Sequence, residues 1–194
     1  MSKGDTALLG RRALLDTIEQ LLLNHRSVLL VGPGGIGKSA LIRSLTTNDV
    51  TVIDPFEHLS AHRAARIRRA MDRGMTVIGA ARTLNRASLG QVGRIMWRFM
   101  TLRVPPLPDA SLRRLVEDAC AAERIRADLI TSKWIRDVVK VARGRPGVGL
   151  TVVQHAADMC EGRRLPAPAA AYLEAGIQRA SEREATTSHA GGGH

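Results

Sequence analysis

Gly32-Pro33-Gly34-Gly35-Ile36-Gly37-Lys38-Ser39 fits the pattern GxxxxGK[ST] of a phosphate-binding loop, or P-loop. The apolar run Val28 to Val31 precedes the loop, and the spacing of Ala40, Leu41 and Leu45 predicts a helix after it. In this context the glycines let successive N–H groups point at phosphate oxygens, and the helix N-terminus adds partial positive charge. The alternative is a chance glycine turn.

The loop predicts binding of ATP with Mg²⁺ by the residues from Gly32 to Ala40. Lys38 would bridge the β- and γ-phosphates, and the Ser39 hydroxyl would bind Mg²⁺. Asp54, at the end of the apolar run Val50 to Ile53, is the natural carboxylate for the same ion. Lys38 and Asp54 are therefore catalytic candidates, and Ser39 and Asp54 are metal-binding candidates.

The residue that would polarise the attacking water is harder to identify. Pro55 stands directly after Asp54, where an acid is commonest, and Glu57 is the nearest substitute. Glu57 could equally be an acid near a helix N-terminus, favoured by the helix dipole. The sequence therefore predicts nucleotide binding more directly than hydrolysis.

Alternating apolar runs and helical patterns predict an α/β fold with a parallel sheet. Val28 to Val31 has the continuous apolar pattern of a central strand buried on both faces, and Val50 to Ile53 repeats it. Further strands are predicted at Thr76 to Ala81 and Thr101 to Val104. We expect a three-layer P-loop core with a short parallel sheet of about four strands, followed by a small helical lid subdomain.

An arginine-rich helix is predicted before the third strand. Leu59, Ala64, Ile67 and Met71 would form its buried stripe, and Gly74 would cap it. Its other face carries Arg63, Arg66, Arg68, Arg69 and Arg73.

The predicted domains are a nucleotide-binding core over residues 1–107, a helical lid with a C-terminal helix over 108–183, and a disordered tail over 184–194. Lid helices are expected at about Leu112 to Ala122, Asp128 to Ala142 and Val148 to Cys160. An Ala-rich helix follows at about 167–180, and the tail is rich in Ser, Thr and Gly.

Charge is the strongest compositional signal. The 29 Lys and Arg against 18 Asp and Glu give a formal net charge of +11, which favours a polyanionic partner, and nucleic acid is the obvious candidate. The alternative is that an Arg- and Ala-rich composition reflects genome bias and solvated helix faces. With few aromatic residues, a base-stacking platform is not expected.

The apolar runs are far shorter than the ~20 residues of a membrane span, and the polar N-terminus lacks a signal-peptide core. We therefore expect a cytoplasmic protein. Cys120 and Cys160 lie in helix-like apolar stretches without CxxC spacing, which predicts buried, reduced thiols and no metal site.

These residues together resemble the AAA+ ATPases, especially the initiator-like branch and the related STAND ATPases. The resemblance spans about Leu8 to Met159. Leu8-Leu9-Gly10-Arg11 is similar to the family's N-terminal Gly-Arg element, which lies near the adenine, and so implies that Leu9, Gly10 and Arg11 contact the nucleotide. Val77 to Thr83 is similar to the sensor 1 strand, with Arg82 at the sensor position.

Two later stretches add to the resemblance. Trp97-Arg98-Phe99 resembles the arginine-finger position, where Arg98 would act on ATP held by a neighbouring subunit, and Gly144-Arg145-Pro146 resembles sensor 2 in the lid. A guanidinium at the γ-phosphate neutralises charge that develops during transfer. Each arginine has another explanation: Arg98 could snorkel beside Trp97, Arg82 could pair with a surface acid, and Arg145 could cap a helix.

The chain departs from the family in one respect. Asp54 follows Ser39 by only 15 positions, which leaves room for one helix and one strand where typical members have another of each. The core is therefore expected to lack one edge strand, which could expose an edge or open space for a partner. No helix-turn-helix segment follows the lid, which argues against sequence-specific DNA reading.

The resemblance implies an ATPase that binds ATP in a cleft between core and lid and assembles in a nucleotide-dependent way through Arg98. With the basic charge, it implies action on DNA, as in transposition regulators and helicase loaders. One alternative is a regulatory nucleotide-binding adaptor with little hydrolysis that acts through protein partners. Another is a small-molecule kinase, although no dedicated acceptor pocket is visible in the sequence.

Overall fold

A computed structural model describes residues 10–45, 50–56, 59–83, 95–123, 125, 130–163 and 178. Its elements, in chain order, are α1 (Arg12–Leu23), β1 (Val28–Val31), α2 (Lys38–Ser44), β2 (Val50–Ile53), α3 (Ala61–Asp72), β3 (Thr76–Ala81), a 3-10 turn (Met96–Arg98), β4 (Met100–Arg103), α4 (Asp109–Ala122), α5 (Ser132–Ala142) and α6 (Pro146–Arg163). Leu9, Glu57, the C-terminal helix predicted at 167–180 and the tail 184–194 lie outside these residues, apart from residue 178.

The sheet has four strands in the order β2-β3-β1-β4, and every neighbouring pair is parallel. β1 lies between β3 and β4, with Val28 opposite Ile78 on one side and Met100 on the other. All four residues of β1 are buried, as its continuous apolar pattern predicts. The predicted α/β fold with a short parallel sheet is confirmed.

The prediction that β2 is buried on both faces is wrong. β2 pairs only with β3 among the described strands, so it forms an edge of the sheet. Val52 is 48% exposed, whereas Ile53 is buried. The stretch Val50 to Ile53 includes Thr51, and four β-branched residues do not distinguish a central strand from an edge strand, because they suit both positions.

The predicted buried stripe of α3 starts at Leu59, but the helix begins at Ala61; its C-terminal end is as the sequence predicts. The Ser60 hydroxyl accepts a hydrogen bond from the Arg63 N–H at 3.3 Å, which caps the N-terminus. At the other end the N–H groups of Gly74 and Met75 donate to carbonyls of the last turn at 3.0 and 3.1 Å. Gly74 has φ +89°, so these bonds form a Schellman motif and confirm the predicted glycine cap.

The chain divides into two compact units. The α/β unit comprises residues 11–33 and 37–105, and the helical unit comprises residues 1–10, 34–36 and 106–194. The core of the α/β unit includes Leu29, Val77 and a T-shaped ring pair, Phe56 and Phe99, with centroids 5.4 Å apart. The domain bounds proposed from the sequence remain a prediction.

The helical unit has its own core. α4, α5 and α6 pack through buried side chains that include Leu112, Val138 and Val152. Cys120 is buried in this core, as predicted, whereas the side chain of Cys160 lies outside the description. In the part of the chain that the structure describes, no helix is long and apolar enough to cross a membrane.

Candidate functional site

The P-loop connects β1 to α2, and its backbone is shaped by glycines and by hydrogen bonds at both ends. Gly35 and Gly37 adopt positive φ angles of 72° and 96°, which favour glycine. Gly37 is the N-cap of α2, and its carbonyl accepts the first helical hydrogen bond from Leu41 at 3.1 Å. The N–H of Gly32 donates to the Ala81 carbonyl at 3.2 Å, which fixes the start of the loop against β3.

Lys38 folds back over the start of this loop. Its Nζ donates to the carbonyls of Gly32 at 2.6 Å and Pro33 at 3.0 Å, and the residue is buried. A buried ammonium has lost much of its hydration, so an anion that approaches the loop interacts with it more strongly than in water. A Cβ built on Gly34 would meet no described atom within 4 Å, so the space beside the loop is open to a ligand.

Ser39 and Asp54 supply oxygens suited to a magnesium ion. Ser39 lies in the first turn of α2, Asp54 follows β2, and both are exposed. Because the strands are parallel, the carboxyl ends of β1 and β2 lie at the same edge of the sheet, with β3 between them. Two strand spacings amount to roughly 10 Å. Mg²⁺ takes oxygen ligands and keeps several waters, through which it can contact a carboxylate that it does not bind directly, so the residue types suit the ion.

Arg82 follows β3 at this same edge and is exposed. β3 pairs with β1 on one side and β2 on the other, so its end lies between the P-loop strand and the strand that precedes Asp54. The sheet topology therefore places this sensor candidate beside the loop.

Arg11 is buried at the carboxyl end of β4. It is 3% exposed, and its Nη2 donates to the Pro105 carbonyl at 2.9 Å. Val104, the preceding residue, donates to the Val31 carbonyl at 2.8 Å, directly before the P-loop. Burial lowers the pKa of the guanidinium, and its Nε has no hydrogen-bond partner among the described residues. Gly10, the other described residue of this element, has φ +78°.

Arg98 lies elsewhere in the α/β unit. It precedes β4, at the amino edge of the sheet, whereas the P-loop follows β1 at the carboxyl edge. Its guanidinium forms an ion pair with Asp72 of α3 and lies 5.0 Å from the centroid of the Trp97 ring. The sheet therefore separates Arg98 from the P-loop of its own chain.

Around Arg98 several large apolar side chains are exposed: Trp97 by 77%, Met100 by 49% and Met75 by 44%. They line a shallow pocket together with Arg26 and Arg98. Aromatic residues, Met and Arg are the residue types enriched in protein interfaces. The surroundings of Arg98 therefore have the composition of a contact surface.

Arg145 belongs to the helical unit, where it directly precedes α6. Its Nε donates to the Ala142 carbonyl at 3.3 Å, so part of its role is to terminate α5. Gly144 is fixed by packing, since a Cβ there would lie 2.4 Å from the Pro106 Cβ.

Sequence reasoning missed Gly147, which contacts the loop residues 34–36 assigned to the same unit. Its N–H donates to the Gly35 carbonyl at 2.7 Å, and a Cβ on Gly147 would lie 2.8 Å from the Gly35 Cα. The signal available in the sequence was a glycine in the first turn of a helix, where a side chain is ordinarily tolerated. Its backbone contact is with a residue far away in the chain.

Comparison with solved structures identifies the fold. A variant of RuvB from Thermotoga maritima superposes with a TM-score of 0.58 at 15% identity, covering 87% of this chain and 69% of that one. The Thermotoga maritima RuvB Holliday junction branch migration motor gives 0.53 at 16% identity, covering 86% and 68%. The ADP form of the Aeropyrum pernix ORC2 protein gives 0.53 at 12% identity, covering 87% and 68%.

The sequence matches no protein-family model and no curated protein. At these identities the structural likeness shows the fold alone, and that fold is the AAA+ P-loop ATPase fold. The recognition made from the sequence motifs is thus confirmed for the fold. The roles of the individual site residues remain predictions.

Proposed function

Because the chain has the AAA+ P-loop ATPase fold, we propose that it binds ATP with Mg²⁺ at residues 32–40 and hydrolyses it. The observation that carries the proposal is the buried ammonium of Lys38, held across the loop by the carbonyls of Gly32 and Pro33. ATP phosphates are the ligand for which a glycine loop, a helix N-terminus and a desolvated ammonium are jointly suited.

The remaining groups have distinct tasks. Ser39 and Asp54 would hold Mg²⁺, which neutralises the phosphate oxygens, while Arg82 would contact the γ-phosphate from the end of β3. Arg11 and Gly10, with Leu9 before them, would contact the nucleotide base, Arg145 would contact the phosphates from α6, and Glu57 would orient the attacking water. Hydrolysis leaves ADP and phosphate.

We further propose that subunits associate and that Arg98 acts on ATP bound by a neighbour. Arg98 lies at the sheet edge opposite its own P-loop, among the exposed side chains of Trp97, Met100 and Met75. On association, Arg98 would exchange Asp72 for a phosphate group. The Arg98 side chain is 25% exposed and that of Asp72 48%, so breaking the pair should cost on the order of 1 kcal/mol, which a charged phosphate group can offset.

DNA is the proposed polyanionic partner. The support is the net charge of +11 and the fold shared with a Holliday junction branch migration motor. The specific task, regulation of transposition or helicase loading, follows from the sequence resemblance.

The test is ATP turnover by the purified chain with and without duplex DNA, while mass is followed by light scattering. Wild type should gain mass and turnover when ATP and DNA are both present. Lys38→Ala should lose ATP binding, whereas Arg98→Ala should bind ATP normally and lose turnover. Arg136→Ala, an exposed arginine on α5, is the matched control and should behave as wild type.

A second candidate is a nucleotide-binding adaptor with little hydrolysis. Pro55, standing where an acid would activate water, favours it. A chain that binds ATP, stays monomeric and does not respond to DNA would exclude the assembling ATPase in favour of the adaptor.

A further inference from the structure

The outward face of α3 carries a row of arginines. The helix buries Ala64, Ile67 and Ala70 and turns Arg66 and Arg69 to solvent, and its C-cap residue, Arg73, is exposed as well. These three residues, at i, i+3 and i+7, form one stripe, which we call the arginine ridge. Seven residues of helical rise make the ridge about 10 Å long.

Within the described residues, the positive charge of the ridge is not balanced by acids. Five arginines and one acid, Asp72, lie between Ala61 and Arg73, and that acid is paired with Arg98. None of the ridge arginines forms an ion pair within the described ranges. Neighbouring cations at helical spacing repel one another, and a dense polyanion would relieve that repulsion.

The residue types on the ridge distinguish among polyanions. All three are arginines, whose planar guanidinium can donate two parallel hydrogen bonds to one phosphate group. The three ridge positions hold no large apolar side chain, and the exposed Met75 and Trp97 lie outside α3, so this face of α3 lacks the apolar stripe by which an amphipathic helix enters a membrane. It also has no aromatic ring on which single-stranded bases could stack.

From these observations we propose that the arginine ridge binds the phosphate backbone of duplex DNA without reading its sequence. Each strand of B-DNA carries one charge per about 3.4 Å of axis, so about three phosphates of a strand lie along a ridge of this length, one for each arginine. Arginine can also contact guanine in the major groove, but the ridge has no Asn or Gln to read adenine and no acid to read cytosine, so backbone phosphates are its general ligand. This inference rests on the DNA part of the proposed function and specifies its surface.

The experiment measures binding of the full chain to a fluorescein-labelled duplex of mixed sequence from 50 to 200 mM salt, with and without ATP. The ridge variant is Arg66→Gln with Arg69→Gln and Arg73→Gln. The control carries Arg114→Gln, Arg136→Gln and Lys140→Gln, three exposed cations of α4 and α5, and has the same net charge. Circular dichroism, the thermal midpoint and ATP binding check that both variants fold.

Each phosphate contact contributes about 0.9 to the slope of log K against log salt, so the ridge variant should lose between two and three units of slope, about 0.9 per arginine. Its affinity at 50 mM salt should fall by at least about tenfold, while the control stays near wild type. This result would support the ridge.

Three outcomes would overturn it. If DNA affinity falls equally in both variants, binding depends on net charge and not on the ridge. If phosphatidylserine vesicles or polyglutamate compete as well as duplex DNA does, the ridge is not specific for DNA. If wild type binds ATP but no duplex at 50 mM salt, both the ridge and the DNA partner fail, while the ATPase proposal stands on its turnover data.

Discussion

Among single residues, Lys38 and Arg11 show how the fold holds positive charge away from water. Both side chains donate to backbone carbonyls, at Gly32 and Pro33 in one case and at Pro105 in the other. The carbonyl dipoles stabilise these cations only in part, because hydration is lost on burial. At the proposed site, the phosphates of ATP would add to the contacts that Lys38 already makes with these carbonyls.

The residues predicted from the sequence are specified by their neighbours in the chain, whereas the missed contacts join residues that are far apart in the chain. Lys38 and Ser39 follow from a contiguous motif, because strand, loop and helix are all specified within about a dozen residues. The Asp72 partner of Arg98 and the Gly147 partner of Gly35 come from distant parts of the chain. Such pairs depend on sheet order and on helix packing, which one sequence without relatives does not reveal.

Cys120 makes stability depend on pH in the alkaline range. Burial, and then the negative charge of Glu117, raise the pKa of its thiol from 9.0 to about 11. The unfolded chain releases this proton near pH 9 and the folded chain only near pH 11, so the contribution to stability is fully present below pH 9 and is lost as the pH rises to 11.

We therefore expect the free energy of unfolding of wild type to fall more between pH 8.5 and 10.5 than that of Cys120→Ala. Urea unfolding of both proteins at the two pH values gives these free energies of unfolding. Lysine titration affects both proteins equally and cancels when the two changes are compared. The cavity left by the substitution lowers stability at both pH values and so does not affect the difference. An equal fall in both proteins would show that the thiol does not titrate abnormally.

Among the elements, the strands show where an apolar pattern is sufficient. The pattern predicts β1 and β3 correctly because strands paired on both sides bury every residue. It failed for β2, where Val52 is exposed, because strand order is a property of the sheet. The sequence predicts that the sheet lacks an edge strand. In agreement with this, β2 has no second partner in the described part of the chain.

The first turn of α6 offers a test of how the P-loop tip is shaped. In Gly147→Ala, the new Cβ would lie 2.8 Å from the Gly35 Cα, so the loop must move. We expect ATP affinity to fall by about tenfold or more, because P-loop N–H groups must converge on the phosphates. Stability should fall as well, by about 1–3 kcal/mol, because the new Cβ crowds backbone atoms that cannot turn away as a side chain can.

Gly149→Ala is the matched control, with the same substitution two positions further along the helix. Its Cβ would meet Val116, Leu112 and Ala142 at 3.4 to 3.7 Å, which is ordinary packing distance. Calorimetric titration with ATP should find its affinity equal to that of wild type. Unchanged affinity in Gly147→Ala as well would mean that the contact with Gly35 does not shape the loop.

In the molecule as a whole, each unit buries its own hydrophobic cluster. Val138 belongs to the core built by α4, α5 and α6, and Val77 belongs to the core built around the sheet. No described residue is shared between these two clusters. A loss of packing in one cluster therefore removes contacts only within its own unit.

Two matched substitutions, one in each unit, should each speed hydrogen exchange in their own unit. Val138→Ala and Val77→Ala each leave a cavity at a fully buried valine and should lower local stability by about 1–3 kcal/mol. Mass-spectrometric exchange should show faster exchange in α4–α6 for the first variant and in β1–β4 for the second. Each variant is the control for the other. Equal loss of protection in both units would show that they unfold as one cooperative body. A change of nucleotide at the proposed site could then not loosen one unit while the other stays folded.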